Sequence, residues 1–177
     1  MNIQEILKKE LRVVPDFPKS GIQFFDVTTL MLNANANNLI IEYLFQHYSG
    51  LGITKVAGIE SRGFIYGAML AKALNVGFVP IRKPGKLPYQ TYSESYSKEY
   101  DPKDTIHIHV DALSQSDVVL IHDDVLATSG TLEAAIKLVH KCKVEKIYSN
   151  TLIEIMELNG RQVVDKYSSE FHSIMKL

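Results

Sequence analysis

The sequence predicts an α/β fold with a central, mostly parallel sheet flanked by helices. Three observations carry this expectation. Short apolar runs at Thr54–Ile59, Gly77–Ile81, Val118–Ile121 and Ile147–Ile155 read as buried strands. Stretches with helical spacing follow the first and third of them, through Phe64, Ala68, Met69, Ala71 and Leu74 and through Leu132, Ala135, Ile136 and Val139. Strand, turn, helix and strand over residues 54–81 make a βαβ unit, which implies a parallel pair. Ligands of such folds bind at the C-terminal ends of the strands.

The remaining elements follow in chain order. Ile3, Ile6, Leu7 and Leu11 share one helical face, so a short amphipathic helix opens the chain. Pro15, Pro18 and Gly21 argue against regular structure over residues 14–21, and Phe17, Ile22, Phe24 and Phe25 argue that the segment is packed. Asn37 and Asn38 look like the cap of a helix that runs through Leu39, Ile40, Tyr43, Leu44 and Phe45 to Gly50 and Gly52. Residues 82–104 carry Pro84, Gly85, Pro88 and Pro102 among many hydroxyls and charges and read as a long functional loop. Ile106 and Ile108 alternate with His107 and His109, the pattern of a half-exposed strand.

At 177 residues the chain suits a single domain. With 19 basic and 20 acidic residues its net charge of −1 argues against duplex DNA as a main partner. The lone Cys142 excludes an internal disulfide and a cysteine-rich zinc site. No apolar run approaches the ~20 residues of a membrane span, and residues 1–10 lack a signal-peptide core. A cytoplasmic protein is expected.

The chemistry concentrates at Asp123–Thr131. A buried strand leads into two adjacent carboxylates, then a turn of small and hydroxyl residues, then a helix. The free N–H groups of that turn and of the first helical turn suit a phosphate. No Walker lysine motif and no G-x-G-x-x-G loop occurs. Acids do not bind phosphate, so Asp123 and Asp124 serve something beside it, and vicinal sugar hydroxyls fit. A sugar phosphate satisfies both halves of the motif.

The string Val118–Thr131 resembles the phosphoribosyl-diphosphate (PRPP) motif of type I phosphoribosyltransferases. More narrowly, the chain resembles the adenine-specific members of that family. Pro15–Pro18 with Gly21, Gly58–Phe64, Val79–Pro88 and Ser95–Tyr100 carry this narrower likeness, in family order, over most of residues 11–161. It implies the type I phosphoribosyltransferase fold, with a small hood over about 11–30 and a flexible catalytic loop over about 84–104. It also implies the reaction of adenine with PRPP to give AMP and pyrophosphate.

The roles below are those that the resemblance implies. Ala127, Thr128, Ser129, Gly130 and Thr131 hold the 5′-phosphate, and Asp123 and Asp124 accept from the ribose hydroxyls. Glu60, Ser61 and Arg62 meet the pyrophosphate, near a peptide that is often cis. Arg82, Lys83 and Lys86 add cations close to a subunit boundary. Glu99 transfers the proton of the purine, while Tyr96 and Tyr100 help its loop pack down; composition alone does not choose between Glu94 and Glu99. Backbone groups at Gln23 and Phe25 read the adenine edge, the Phe24 ring stacks on the base, and Ile155 lies opposite. Mg2+ is held by substrate oxygens and water, with no protein cage, and the default assembly is a homodimer.

Three positions depart from the family pattern: Ser129 replaces a glycine, His122 an aliphatic residue and Asp101 a glycine. Ser129 keeps its N–H donor only where the backbone tolerates a Cβ. For His122 the plainer expectation is a hydrogen-bonded histidine at a strand end. Two other functions compete: a phosphoribosyltransferase for a different base, and a PRPP-sensing regulator without catalysis. The strings at Arg82–Pro88 and Phe17–Phe24 disfavour the first. Short length and balanced charge disfavour the second.

Overall fold

The computed structural model describes residues 2–98 and 101–177. Its centre is a five-stranded parallel sheet in the order β4-β3-β7-β8-β9. The strands are β3 (Lys55–Ile59), β4 (Gly77–Ile81), β7 (Val118–Leu126), β8 (Lys146–Glu154) and β9 (Glu170–Lys176). The predicted βαβ unit is present: β3 and β4 pair in parallel through α4 (Gly63–Leu74). Asn75 ends α4 in the left-handed conformation, where a short polar side chain is tolerated. β9 has no counterpart in the expected elements, because His172 and Ser173 interrupt its apolar pattern.

Two apolar layers sandwich the sheet. One face packs on α5 (Gly130–Lys141) through Leu132, Ala135, Ile136 and Val139, the residues that predicted that helix. The other packs on α1 (Ile3–Glu10), α3 (Ala34–Tyr48) and α4 through Leu7, Ile40, Leu44, Tyr66 and Leu70.

Several expectations are corrected. The cap of α3 is Asn33, whose side chain accepts from the Asn35 and Ala36 N–H groups, not Asn37 or Asn38. Asn37 instead donates to the Met31 carbonyl and accepts from the Tyr66 hydroxyl. The segment expected to be irregular contains a ribbon, β1 (Arg12–Pro15) against β2 (Gln23–Asp26), followed by the short α2 (Thr28–Leu32). Pro15 is tolerated because it ends a strand of a two-stranded ribbon. The expected loop over 84–104 is largely an antiparallel hairpin of β5 (Thr91–Lys98) and β6 (Asp101–His109). Its Thr and Tyr residues favour strands, which outweighs the hydroxyl content. Ile106 and Ile108 of β6 are buried, as the alternation predicts.

Candidate active site

From β3 the chain crosses through α4 to β4 on one side; from β7 it crosses through α5 to β8 on the other. The two connections diverge, so a crevice opens at the C-terminal ends of β3 and β7, the topological switch point where such folds bind ligands. The N-termini of α4 and α5 flank this crevice and offer free N–H groups to anions.

Asp123 and Asp124 occupy the crevice. β7 continues past them to Leu126, so they lie within the strand and not beyond its end. Arg62, the residue before α4, reaches Asp124 with Nε 2.6 Å from Oδ2. Gly63 makes this approach possible, because a Cβ there would meet the His122 carbonyl oxygen and the Asp123 carboxylate. Burial, then the Asp124 charge, pushes the Asp123 carboxyl well above the usual range. Burial also raises Asp124, against the pull of Arg62. Perturbed carboxyls in a cleft mark a functional site.

The turn at residues 127–129 leads into α5, which starts at Gly130. Ser129 sits there with φ 85° and ψ −14°, a left-handed conformation that suits glycine. The serine keeps the backbone geometry of the turn at the expense of strain.

The β1–β2 ribbon covers the other side of the crevice. Between them lies a cavity of about 740 Å3. Gln23, Phe24, Phe25, Arg62, Asp123, Asp124, Ala127, Thr131 and Ile155 line it, all nominated from the sequence. The guanidinium of Arg62 lies 5.2 Å from the centre of the Phe24 ring, and Phe17 packs edge-on against the same ring at 5.1 Å.

A family model for the phosphoribosyl transferase domain matches residues 28–175. The adenine phosphoribosyltransferase of Bacteroides fragilis is 55% identical over 162 residues, 92% of this chain and 90% of that one. The one from Yersinia pseudotuberculosis is 46% identical over 169 residues, 96% of this chain and 90% of that one. The chain belongs to the adenine phosphoribosyltransferase family. Among solved structures, the Giardia lamblia enzyme complexed with 9-deazaadenine superposes with a TM-score of 0.95 at 40% identity, covering 100% of this chain and 98% of that one. The Saccharomyces cerevisiae enzyme, complexed with an imino-altritol bisphosphate and adenine, gives 0.89 at 34% identity, covering 97% and 98%.

Other nominated residues lie outside the cavity wall. The Glu60–Ser61 peptide is cis. The Glu60 carboxylate accepts from Arg82 Nε (3.2 Å), Arg82 Nη2 (3.3 Å) and the Lys83 N–H (2.9 Å). The Arg82 hydrogen bond is the main reason its carboxyl is held below the usual range. Arg82 also donates to the Lys86 carbonyl, and Lys83 Nζ lies 3.8 Å from Asp104. Glu94 pairs with Lys141 at 2.7 Å, which ties the hairpin to α5. Tyr96 packs on the α5-side core. Glu99 and Tyr100 lie outside the described residues.

His122 is fully buried, with Nδ1 2.7 Å from the Asn150 Oδ1. Burial lowers it to about 4, so the ring is neutral near pH 7. Asn150 supplies the hydrogen bond expected for it, but the ring lies within β7 and not at its end, and among the described residues its Nε2 has no partner.

Among the described residues no group of three or more His, Cys, Asp and Glu side chains could hold a metal ion alone. Asp123 and Asp124 both face the cavity, a donor set that suits a magnesium ion carried on substrate oxygens and water. Among those residues, too, no helix is long and apolar enough to cross a membrane. Sequence reasoning missed Glu157, Leu158 and Leu177, which also line the cavity. Only the fold brings these separate segments together.

Proposed function

We propose that this protein transfers the 5-phosphoribosyl group of PRPP to N9 of adenine, giving AMP and pyrophosphate. The observation that carries this reading is the continuity of one cavity, from an aromatic hood through a carboxylate pair to a phosphate turn. Those three parts match a base, a ribose and a 5′-phosphate in the order in which PRPP chemistry joins them.

The backbone of Ala127–Thr131 binds the 5′-phosphate, helped by the start of α5. Asp123 and Asp124 accept from the 2′- and 3′-hydroxyls, and the donors of the bound sugar offset the burial of the pair. Arg62 moves part of its charge from Asp124 to the pyrophosphate. Glu60 aligns Arg82 and the Lys83 N–H at the mouth of the same crevice, with Ser61 and Lys86 nearby. The Phe24 ring and Ile155 hold the base between them, and the backbone at Gln23 and Phe25 reads its edge.

With the base so placed, N9 attacks C1′ as the bond from C1′ to the pyrophosphate oxygen breaks. The electron pair departs with pyrophosphate, and the purine gives its proton to Glu99 as general base. Positioning and stabilisation of the leaving anion supply most of the acceleration. Tyr100, next to Glu99 in sequence, helps the loop pack down when it closes. Asp123 and Asp124 would hold the water of a magnesium ion carried on the substrate oxygens, and that ion, when bound, would supply positive charge to the diphosphate.

The working assembly is a homodimer in the cytoplasm. An apolar groove between α3 and α4, lined by Ile41, Phe45 and Met69 with the exposed Ile65 nearby, supports pairing.

The test is pyrophosphate release from PRPP and magnesium with adenine, hypoxanthine, guanine and orotate in parallel. Release with adenine alone is expected. Release with another base instead would overturn the reading of the hood. PRPP binding without release for any base would favour a sensor over an enzyme. Glu99→Gln is expected to lower turnover by about 100-fold or more while sparing PRPP affinity.

A further inference from the structure

We propose that Gly160 and Arg161 are positioning residues that set the phosphate turn against the base side of the cavity. The proposal rests on the cavity being the PRPP and adenine site.

Gly160 has φ −59° and ψ −30°, a backbone that any residue adopts. Its need for glycine is therefore spatial. A Cβ there would collide with the Ala127 carbonyl oxygen and crowd the Leu126 side chain. Ala127 belongs to the phosphate turn, so that turn rests directly on the Gly160 backbone.

The neighbouring residue makes the support rigid. Arg161 grips the buried Glu154 with both prongs, Nε to Oε1 at 2.8 Å and Nη2 to Oε2 at 2.5 Å. Its third nitrogen donates to the Phe171 carbonyl at 3.0 Å, and its guanidinium lies 4.6 Å from the centre of the Phe171 ring. Ser173 donates to the same carboxylate at 2.6 Å. This clamp ties β8, β9 and the start of α6 (Arg161–Val164) together. Residues 155–160 span the clamp, and Ile155, at their start, lines the cavity and donates its N–H to the Leu126 carbonyl at 2.9 Å. One strut therefore carries both the base wall and the seat of the phosphate turn. A side chain added at Gly160 must displace the turn, because the clamp holds the other side.

The experiment measures KM for PRPP and adenine, with PRPP affinity by calorimetry. It compares wild type, Gly160→Ala, Arg161→Lys and the double variant, with Gly50→Ala as control because a Cβ at Gly50 meets nothing. Gly160→Ala is expected to raise the PRPP KM by about tenfold or more, with a much smaller effect on adenine, as a misplaced binding group does. Arg161→Lys keeps the charge and loses the two-pronged grip. It is expected to raise both KM values about threefold with kcat retained. In that loosened background Gly160→Ala should cost less than about threefold in PRPP affinity, because coupled sites are not additive.

Wild type that binds PRPP while both single variants keep its KM values overturns the inference alone. Full additivity in the double variant overturns the clamp as the rigid partner. Should Gly160→Ala fail to fold, Arg161→Lys decides: unchanged KM values reject the strut. Wild type that binds no PRPP overturns both this inference and the site on which it rests.

Discussion

β7 and β8 lie side by side and both place carboxylates near their C-terminal ends, yet the two are treated in opposite ways. Asp123 and Asp124 are crowded together, with Arg62 as the ion-pair partner of Asp124, and both carboxyls are raised. Glu154, which pairs with Leu126 in the β7–β8 register, is as buried as Asp124. Burial raises it, but hydrogen bonds from Arg161 and Ser173 outweigh that and hold it below the usual range. The difference separates the two jobs of a buried acid. A carboxylate that a ligand must satisfy is left under-satisfied in the free protein, and one that braces the fold is fully paired.

The comparison breaks most severely where a brace loses its partner. Arg161→Met should lower stability by about 3 kcal/mol in urea unfolding, because it leaves a buried charge uncompensated. The folded state holds Glu154 with a depressed pKa, so its contribution is present above the ordinary carboxylate value and lost as pH falls through the folded value. The deficit of Arg161→Met should therefore shrink in acid.

Ser129→Gly is expected to raise stability by about 1 kcal/mol, by relieving a left-handed serine in the phosphate turn. Thermal melts check this, and a loss of stability would show that the serine side chain contributes more than its backbone costs. The smallest effect belongs to a third acid, Glu94, in its partly exposed pair with Lys141. Glu94→Gln should cost about 0.5 kcal/mol or less and leave turnover unchanged. A large drop in kcat would transfer the proton-transfer role from Glu99 to Glu94.

How legible each part was follows from how local its cause is. The βαβ unit and the turn at Asp123–Thr131 are written in consecutive residues, so apolar runs and hydroxyl spacing reveal them. The β1–β2 ribbon and β5–β6 hairpin were hidden because Pro15, Pro102 and many hydroxyls mimic loop composition, while the pairing that makes them strands is between segments. Asn33 outcompetes Asn37 as a cap because Asn37 is drawn away to Tyr66 and Met31, a choice set by tertiary contacts. The Glu154 clamp was not read at all. Its partners stand 7 and 19 residues away, and no local pattern joins Arg161 and Ser173 to that carboxylate.

The most direct test of the contrast is the thermal melting of wild type and Asp123→Asn near pH 8, each with and without PRPP and magnesium. Asp123 has a raised folded pKa, so above the ordinary carboxylate value its charge opposes folding, increasingly up to the folded value. Asparagine removes that charge and keeps an oxygen to accept from the Asp124 N–H. The empty variant is expected to melt above wild type and to lose most of the stabilisation that PRPP gives, since a charged acceptor contributes about 2 kcal/mol to a ligand hydrogen bond. A variant that melts below wild type and keeps the full PRPP shift would contradict the account.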